Sequence, residues 1–174
     1  MGGAIAKDEA PYSEKKLSMP SITVVVADHR KSGRATCLRI LQPEKGIRVV
    51  GESGSGLGVI SAAARLKPRI LLFHLNLFKE KKLNLLRALF QKSPRTKVIL
   101  LTAHPSGRTI LEAISHGARG VVQEKNLRTS LPKAMRLVDA GEAWVPRKIE
   151  AKIIDRLSVL LSGKKEAAYW TKVH

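Results

Sequence analysis

The chain has 174 residues, a length that fits one domain with short appendages. Its composition, 44% hydrophobic and 26% charged, is ordinary for a globular protein, and no apolar run approaches the roughly 20 residues of a membrane-spanning helix. The first residues carry acids and lack a long apolar stretch, so we expect no signal peptide there. The single cysteine, Cys37, excludes an internal disulfide framework and fits a reducing cytoplasm, where we expect the protein to be located.

The formal net charge of +18 favours binding to a polyanion such as nucleic acid. However, the basic residues are scattered along the chain, and aromatic residues make up only 4% of it. A platform for single-stranded nucleic acid would interleave basic and aromatic side chains. Nucleic-acid binding through the basic surface therefore stays an alternative that we do not favour.

The first part of the chain alternates between short apolar runs and helical periodicity. The run "ITVVVAD" is β-branched, which predicts a buried strand, and the Ala-rich "GLGVISAAARL" predicts a helix. The elements predicted here are, in order, a flexible tail, a strand, a helix, a strand and a helix, at 1–20, 22–28, 32–42, 46–52 and 56–66.

The same alternation continues through the middle of the chain. Strands are predicted at 69–74, 97–103 and 119–123, and helices at 81–91, 107–117 and 131–141. Gly117 and Gly141 stand where the residue after a helix is expected. Because the strands are nearly continuous apolar runs, both faces of the sheet must be covered, which predicts a doubly wound α/β fold with a five-stranded parallel sheet.

A last segment, 146–162, predicts an amphipathic helix with an apolar stripe. The stripe consists of Ile149, Ile153, Leu157 and Leu160, whose spacing places them on one helical face. A lone amphipathic helix of this length must pack against the flank of its own domain or against another copy, and we expect a homodimer. Residues 163–174 lack clear periodicity and are predicted to form a tail.

Polar residues follow several of the predicted strands. In open α/β sheets, ligands bind beyond the carboxyl ends of the strands. The residues at those ends are Asp28 and His29 after the first strand, His74 after the third, Thr102 after the fourth, and Glu124 with Lys125 after the fifth.

The phrases "ITVVVADH", "GIRVVGES", "KPRILLFHLNL", "KVILLTAH", "ISHGARGVV" and "VDAGEAWVP" together resemble a response-regulator receiver domain of the LuxR-type (NarL/FixJ) family. The resemblance covers roughly 22–146, and "WVPRKIEAKIIDRL" is similar to the linker that follows such receivers. It implies a flavodoxin-like sheet with strand order 2-1-3-4-5. The resulting organisation is a receiver-like domain at 21–145 followed by the linker helix at 146–162.

The resemblance also implies a phosphorylation site. Two acids after the first strand would hold Mg²⁺, an aspartate ending the third strand would take the phosphoryl group, and a Thr and a Lys would contact it. Asp28 matches the first acid, whereas His29 replaces the second; if Asp28 is instead the second acid, Ala27 replaces the first. Thr102 matches, and Asn76, whose carbonyl would face the metal, is kept. The phosphoacceptor position falls on His74 and the lysine position on Glu124, next to Lys125.

These replacements predict a degenerate receiver. Mg²⁺ prefers hard oxygen ligands, so its binding should be lost or weak, and a carboxylate at position 124 has the wrong sign for stabilising a phosphoryl group. The family's switch also uses an aromatic residue on the fifth strand, where Val121 and Val122 stand. We therefore expect a non-enzymatic pseudo-receiver that acts through a protein partner or as a homodimer. The family's self-association face would include parts of 106–117 and 128–141.

Two alternatives remain. The first is a truncated LuxR-type transcription regulator or a basic DNA-associated regulator, because the family implies a helix-turn-helix domain and only 13 residues follow Leu161. The second is a protein centred on His74 that binds metal or carries phosphohistidine. If the first and third strands are neighbours, Asp28, His29 and His74 would converge, and this donor set suits Zn²⁺ or Fe²⁺. We expect no resident metal.

Overall fold

The computed structural model describes residues 21–77, 82–104 and 106–170. The tail predicted at 1–20 lies outside the described residues. The strands are β1 (Ile22–Ala27), β2 (Ile47–Ser53), β3 (Ile70–His74), β4 (Lys97–Thr102) and β5 (Ala118–Gln123). The α-helices are α1 (Lys31–Leu41), α2 (Gly56–Leu66), α3 (Lys82–Lys92), α4 (Gly107–Ser115), α5 (Leu127–Ala140) and α6 (Arg147–Trp170).

The strands form one parallel sheet in the order β2-β1-β3-β4-β5, which confirms the predicted fold. The register aligns the carboxyl ends of the strands: Ala27 pairs with Phe73, His74 with Leu101, and Thr102 with Gln123. The polar residues that follow β1, β3 and β5 therefore meet at one edge of the sheet.

Helices cover both faces of the sheet because successive strand side chains point to opposite sides. Val25, Leu71 and Leu100 pack in one apolar cluster with residues of α2, α3 and α4. Val24 and Leu72 belong to a second cluster with residues of α1 and α5. Burial on both faces explains why the strands are nearly continuous apolar runs.

Helix α5 begins at Leu127, four residues before the predicted start at 131. A proline in a helix interior removes a backbone hydrogen bond, so it is more often found in the first turn of a helix. Here Pro132 lies inside the helix and is buried. Leu127 and Leu131, four residues apart, are both buried in the cluster beneath α5, so apolar packing outweighs the cost of the proline.

Helix α6 runs to Trp170, eight residues past the predicted end at 162 and into the segment predicted as a tail. The extension is rich in Lys, Glu and Ala, which favour helix even without an apolar period. Residues 171–174 lie outside the described range. Among the helices of the described residues, α6 included, we find none whose length and hydropathy would allow it to cross a membrane.

The stripe predicted on this helix divides along its length. Ile149 is 5% exposed and packs in the core cluster that contains Ile110 of α4, and Ile153 packs against the same cluster. Leu157 is 52% exposed. The side chain of Leu160 lies outside the described residues. The first half of the stripe therefore packs on the flank of its own domain, and the homodimer stays a prediction.

Candidate functional site

The carboxyl ends of the strands form a pocket of buried polar side chains. Asp28 directly follows β1 and is 2% exposed; His74 ends β3 and is 1% exposed. Thr102 ends β4 and is buried as well, and Glu124 begins a short 3₁₀ turn after β5. Buried polar groups need partners, so the contacts of these side chains show what the pocket can do.

The guanidinium of Arg30 holds two carboxylates together. Asp28 Oδ1 accepts hydrogen bonds from the Arg30 backbone N–H (2.9 Å) and Nε (3.2 Å), and Asp28 Oδ2 accepts one from Arg30 Nη2 (2.9 Å). The same Nη2 donates to Glu124 Oε1. Arg30 thus connects the end of β1 with the end of β5 through charge-assisted hydrogen bonds, which are the strong ones.

The hydrogen bonds of His74 fix its tautomer. The backbone N–H of Asn76 donates to His74 Nδ1 at 3.1 Å, so Nδ1 presents its lone pair and carries no proton. The proton must then sit on Nε2, which lies 2.7 Å from Glu124 Oε1 and donates to it. Glu124 therefore accepts from both Arg30 and His74, and the three side chains form one network.

His29 lies at the open side of the pocket. Its side chain is 39% exposed, and its Nδ1 is 3.3 Å from Asp28 Oδ1. Its ring meets the ring of His74 edge to face, with the centroids 6.3 Å apart. His29 is the most accessible of the four pocket residues that carry a ring or a carboxylate.

The network sets the charge state of the carboxylates. Burial acts to raise the pKa of Asp28, but hydrogen bonds from Arg30 outweigh it, so that pKa lies below its ordinary value. Hydrogen bonds from Arg30 and then from His74 outweigh the opposing effect of burial and hold the pKa of Glu124 below its usual range. The two carboxylates in turn raise the pKa of Arg30. Both acids are therefore ionised at neutral pH.

The start of α1 packs tightly against the Asp28 carboxylate. A Cβ atom at Gly33 would lie 2.1 Å from Asp28 Oδ2, which leaves room only for glycine. Arg34 adds a second link, because its Nη1 donates to the Asp28 backbone carbonyl at 2.8 Å and its Nε to Glu52 at 3.3 Å. The position of Asp28 is thus fixed by backbone packing as well as by Arg30.

The remaining predicted residues lie around this network. Asn76 is exposed and contributes its backbone N–H to His74. Lys125 is exposed and lines a groove with residues of α1 and α5, while its neighbour Glu124 turns towards Arg30 and His74. Val121 and Val122 are both buried in β5. The carboxylate, not the ammonium, therefore contacts the pocket residues.

The structure brings the proposed metal ligands together, but two of them already form hydrogen bonds with other residues. One ligand atom from each of Asp28, His29 and His74 lies within 4.8 Å of the others. Both Asp28 oxygens are already bound by Arg30, and a metal on His74 Nε2 would move the ring proton to Nδ1, where it would face the Asn76 N–H. Two imidazoles also lack the hard oxygen that Mg²⁺ prefers. The residues do not fit Mg²⁺, and a transition metal would compete with Arg30 for the Asp28 carboxylate.

Sequence reasoning missed Arg30, the centre of the network. The sequence does contain a signal for it: a carboxylate at a buried strand end needs a cationic partner, and Arg30 stands two residues after Asp28. Its second partner, Glu124, is 94 residues away along the chain. No local pattern predicts that contact.

The response regulator receiver domain family matches residues 24–136 of this chain. Transcriptional regulatory protein DegU of Brevibacillus brevis is 24% identical over 169 residues, which are 92% of this chain and 72% of DegU. The DNA-binding transcriptional activator DevR/DosR of Mycobacterium tuberculosis is 24% identical, with coverage of 78% of this chain and 63% of that protein. A LuxR-family two-component response regulator from Aurantimonas superposes with a TM-score of 0.70 at 20% identity, covering 79% of this chain and 99% of that one.

Proposed function

The chain belongs to the response regulator receiver domain family, and on that premise we propose that it is a LuxR-type pseudo-receiver, a non-enzymatic module that signals through protein contacts and takes no phosphoryl group. The observation that carries the proposal is the Arg30 bridge between Asp28 and Glu124. The chain spans about two thirds of the length of relatives such as DevR/DosR, at 63%.

Arg30 takes the electrostatic role that a divalent cation would have. The resemblance implies that Mg²⁺ screens the acids of a receiver and helps bind the phosphoryl oxygens. Here the guanidinium neutralises part of that charge, and it uses both Asp28 oxygens. An incoming cation would compete with the guanidinium for this buried carboxylate and would be repelled by its positive charge, and both effects oppose binding.

The tautomer of His74 opposes its use as a nucleophile. Attack on a phosphodonor needs a free lone pair on a ring nitrogen, and Nδ1 already accepts from the Asn76 N–H, which leaves Nε2. That nitrogen carries the proton donated to Glu124, and the Asn76 N–H keeps the proton off Nδ1. Exchanging the tautomer would cost both hydrogen bonds, so we propose that His74 is a structural link and not a phosphohistidine.

Glu124 disfavours a phosphoryl group at this site. A transferred phosphoryl group is stabilised by cations and N–H donors placed around its oxygens. Glu124 adds a full negative charge instead, since its pKa is lowered by Arg30. The network therefore opposes phosphorylation at three points: the cation, the nucleophile and the charge around the product.

A role in transcription is the second candidate. The net charge of +18 and the names of the DegU and DevR/DosR relatives favour it. In this case the basic surface would contact DNA phosphates, alone or beside a full-length regulator. Such binding would weaken steeply with added salt, whereas a protein contact through apolar side chains would not.

Intact mass spectrometry tests the proposed loss of phosphorylation. The protein is incubated with an excess of acetyl phosphate and Mg²⁺. Its mass is then measured without delay, in one sample kept neutral and in a second sample that is acidified. We expect no mass increase. A phosphoryl adduct on a substantial fraction of the chains would overturn the proposal, and its stability in acid would separate an acid-labile phosphohistidine from other products.

The variant His74→Asp provides the matched comparison. It restores the carboxylate that the resemblance places at the phosphoacceptor position but leaves Arg30, His29 and Glu124 in place. We expect it to be phosphorylated weakly or not at all, because the cation site and the charge at Glu124 still oppose the reaction. Rapid and complete phosphorylation of His74→Asp would show that the rest of the pocket is intact.

A further inference from the structure

A groove lies at the amino ends of β4 and β5, at the edge of the sheet opposite to the pocket of Asp28 and His74. We call it the amino-edge groove. Its volume of about 690 Å³ is within the range of small-molecule sites. The residues that line it belong to the end of α3 and to the turns that enter β4 and β5: Phe90, Pro94, Arg95, Thr96, Lys97, Gly117 and Arg119.

Three cations and no carboxylate line the amino-edge groove. Arg95 and Arg119 are exposed, and within the described part of the chain their side chains take part in no hydrogen bond or ion pair. Lys97 is partly buried and donates to the backbone carbonyl of Asp139 at 2.5 Å, a neutral partner that leaves its charge uncompensated. The carboxylate of Asp139 is itself bound by Arg69. The groove therefore has a local excess of positive charge.

Two other grooves differ from it in charge. The groove between α1 and α5 contains Glu44 and Glu124 beside its basic residues. The groove between α4 and α6 contains Glu112 beside Arg108 and Arg156. A carboxylate in the lining repels an anionic ligand, and the lining of the amino-edge groove contains none. Its charge therefore suits an anion.

The loop that carries Arg95 is fixed by hydrogen bonds. The buried hydroxyls of Ser93 and Thr96 lie 2.8 Å apart, and Thr96 Oγ1 donates to the backbone carbonyl of Pro68 at 2.6 Å. The backbone N–H of Thr96 also donates to the Ser93 carbonyl at 3.1 Å, which closes the turn. A ligand of Arg95 therefore meets a loop that is already ordered, and this lowers the cost of binding.

The turn that leads to Arg119 is fixed as well. The backbone carbonyl of Arg119 accepts a hydrogen bond from the Trp144 N–H at 3.0 Å, so the segment after α5 holds the start of β5. Gly117 has φ +96°, and a Cβ atom there would lie 2.8 Å from Phe90 Cε2. Glycine at this position therefore lets the Phe90 ring lie against the turn, where it gives the groove an apolar wall.

We propose that the amino-edge groove binds a small phosphate ester that carries an aromatic ring, of the class of the nucleoside diphosphates. Guanidinium groups bind phosphate oxygens through paired, charge-assisted hydrogen bonds, and Arg95 and Arg119 line the groove without another partner in the described chain. Lys97 adds positive charge, and Phe90 and Pro94 offer apolar contact to the aromatic part. The site goes beyond the proposed function, because it gives the module a small-molecule ligand.

The arrangement of the cations favours a small ligand over nucleic acid. The phosphates of a nucleic acid follow one another along the strand, so the basic residues that bind them form a stripe or an extended patch. Arg95, Lys97 and Arg119 instead converge on one groove beside a single aromatic ring. Duplex DNA is therefore included in the test as a competing ligand.

Isothermal titration calorimetry of the full chain with ADP, without Mg²⁺ and at about 0.15 M NaCl, tests the proposal. We expect the wild type to bind ADP, and Arg95→Gln with Arg119→Gln to bind it at least about tenfold more weakly. The matched control, Arg39→Gln with Arg128→Gln, removes the same charge from the groove between α1 and α5 and should stay within about twofold of the wild type. Circular dichroism checks that both double variants are folded.

Two results would overturn the proposal directly. One is the absence of ADP binding by the wild type. The other is an equal loss of affinity in both double variants, which is the result expected from net charge alone. A short DNA duplex that loses affinity in the Arg95 and Arg119 double variant, when ADP does not, would overturn it too, because the groove would then belong to a nucleic-acid surface.

Pyrophosphate tests the aromatic part of the ligand, because it carries the same two phosphate groups without the ring. We expect the wild type to bind it more weakly than ADP. Phe90→Leu keeps an apolar side chain at this position and should weaken the binding of ADP but not of pyrophosphate. Equal affinity of the wild type for both ligands would overturn the assignment to a nucleoside. The phosphorylation test concerns the opposite edge of the sheet, so either proposal can fail alone.

Discussion

At the scale of single residues, the side chains that differ from the family's phosphorylation site belong to one set of contacts. Taken along the chain, His74 and Glu124 look like separate losses from a phosphorylation site. In the structure Glu124 accepts hydrogen bonds from both His74 and Arg30, and Arg30 also binds Asp28. Removing Arg30 leaves the buried Asp28 carboxylate without its cation, and removing Glu124 leaves the buried Nε2–H of His74 without its acceptor, and both losses are costly. The polar side chains of the pocket therefore bind one another in one hydrogen-bonded network.

Removing the cation should destabilise the fold in a pH-dependent way. In the wild type, the lowered pKa values of Asp28 and Glu124 contribute stability above about pH 4, and this contribution is lost as the pH falls through the folded-state values. In Arg30→Gln the carboxylates lose their partner. We expect Arg30→Gln to lower the free energy of unfolding by about 1–3 kcal/mol at pH 7. This range is smaller than for a fully buried ion pair, because the Arg30 side chain is 36% exposed.

Urea denaturation at pH 7 and at pH 4 measures this effect. The difference between wild type and Arg30→Gln should shrink at the lower pH, where protonation relieves the unpaired carboxylates of the variant. Arg136→Gln, which breaks the more exposed pair with Glu44, is the control and should cost no more than about 1 kcal/mol. An equal difference at both pH values would contradict the assigned role of Arg30.

Elemental analysis tests the metal alternative at the same residues. We expect the protein, purified without an affinity tag, to contain no stoichiometric Zn or Fe, because Arg30 occupies the Asp28 oxygens and His74 presents an N–H on Nε2. About one metal per chain, lost in the His29→Ala and His74→Ala double variant, would instead establish a metal centre at Asp28, His29 and His74.

At the scale of elements, helix α6 has a part that packs and a part that is exposed. Ile149 is buried against α4, and Leu157 is half exposed. We expect Ile149→Ala to lower the free energy of unfolding by about 2–3 kcal/mol, since it leaves a cavity at the edge of the core. Val159→Ala should change it by less than about 0.5 kcal/mol. Denaturation at low protein concentration measures both, and equal effects would contradict this division.

The sequence predicts the elements well where packing follows a local period. The five strands were accessible because both faces of the sheet are buried, which produces nearly continuous apolar runs such as "ILLFH" of β3. Their order was implied by the resemblance to receiver domains. The start of α5 was not accessible, because it depends on the burial of Leu127 against residues distant in the chain. The end of α6 was not predicted, because the apolar period stops before residue 162 and only helix propensity extends the helix beyond it.

The same distinction applies to the site. Asp28, His74 and Glu124 could be found because they follow predicted strands, and parallel strands bring their carboxyl ends together. Arg30 was not found, because its role depends on Glu124, 94 residues away. The tautomer of His74 could not be predicted from the sequence either, because it depends on the orientation of the backbone N–H of Asn76.

At the scale of the whole molecule, several acids are engaged in ion pairs with arginines, and basic residues are in large excess. Asp28, Glu44, Glu52, Glu124 and Asp139 each form an ion pair with an arginine. With 32 basic and 14 acidic residues in the chain, most lysines and arginines have no carboxylate to pair with. The molecule therefore presents a strongly positive field, which attracts polyanions and makes copies of the chain repel each other at low salt.

The most direct measurement of the central claim, that the pocket is closed by its own network, is the long-range ¹H–¹⁵N NMR spectrum of the His74 ring. The spectrum is recorded near pH 7, before and after addition of excess Mg²⁺ and acetyl phosphate, with His74→Gln used for assignment. The network predicts a protonated Nε2 and an unprotonated Nδ1 that stay unchanged when both reagents are present. A proton on Nδ1, or a shift of either ring nitrogen when the reagents are added, would contradict it.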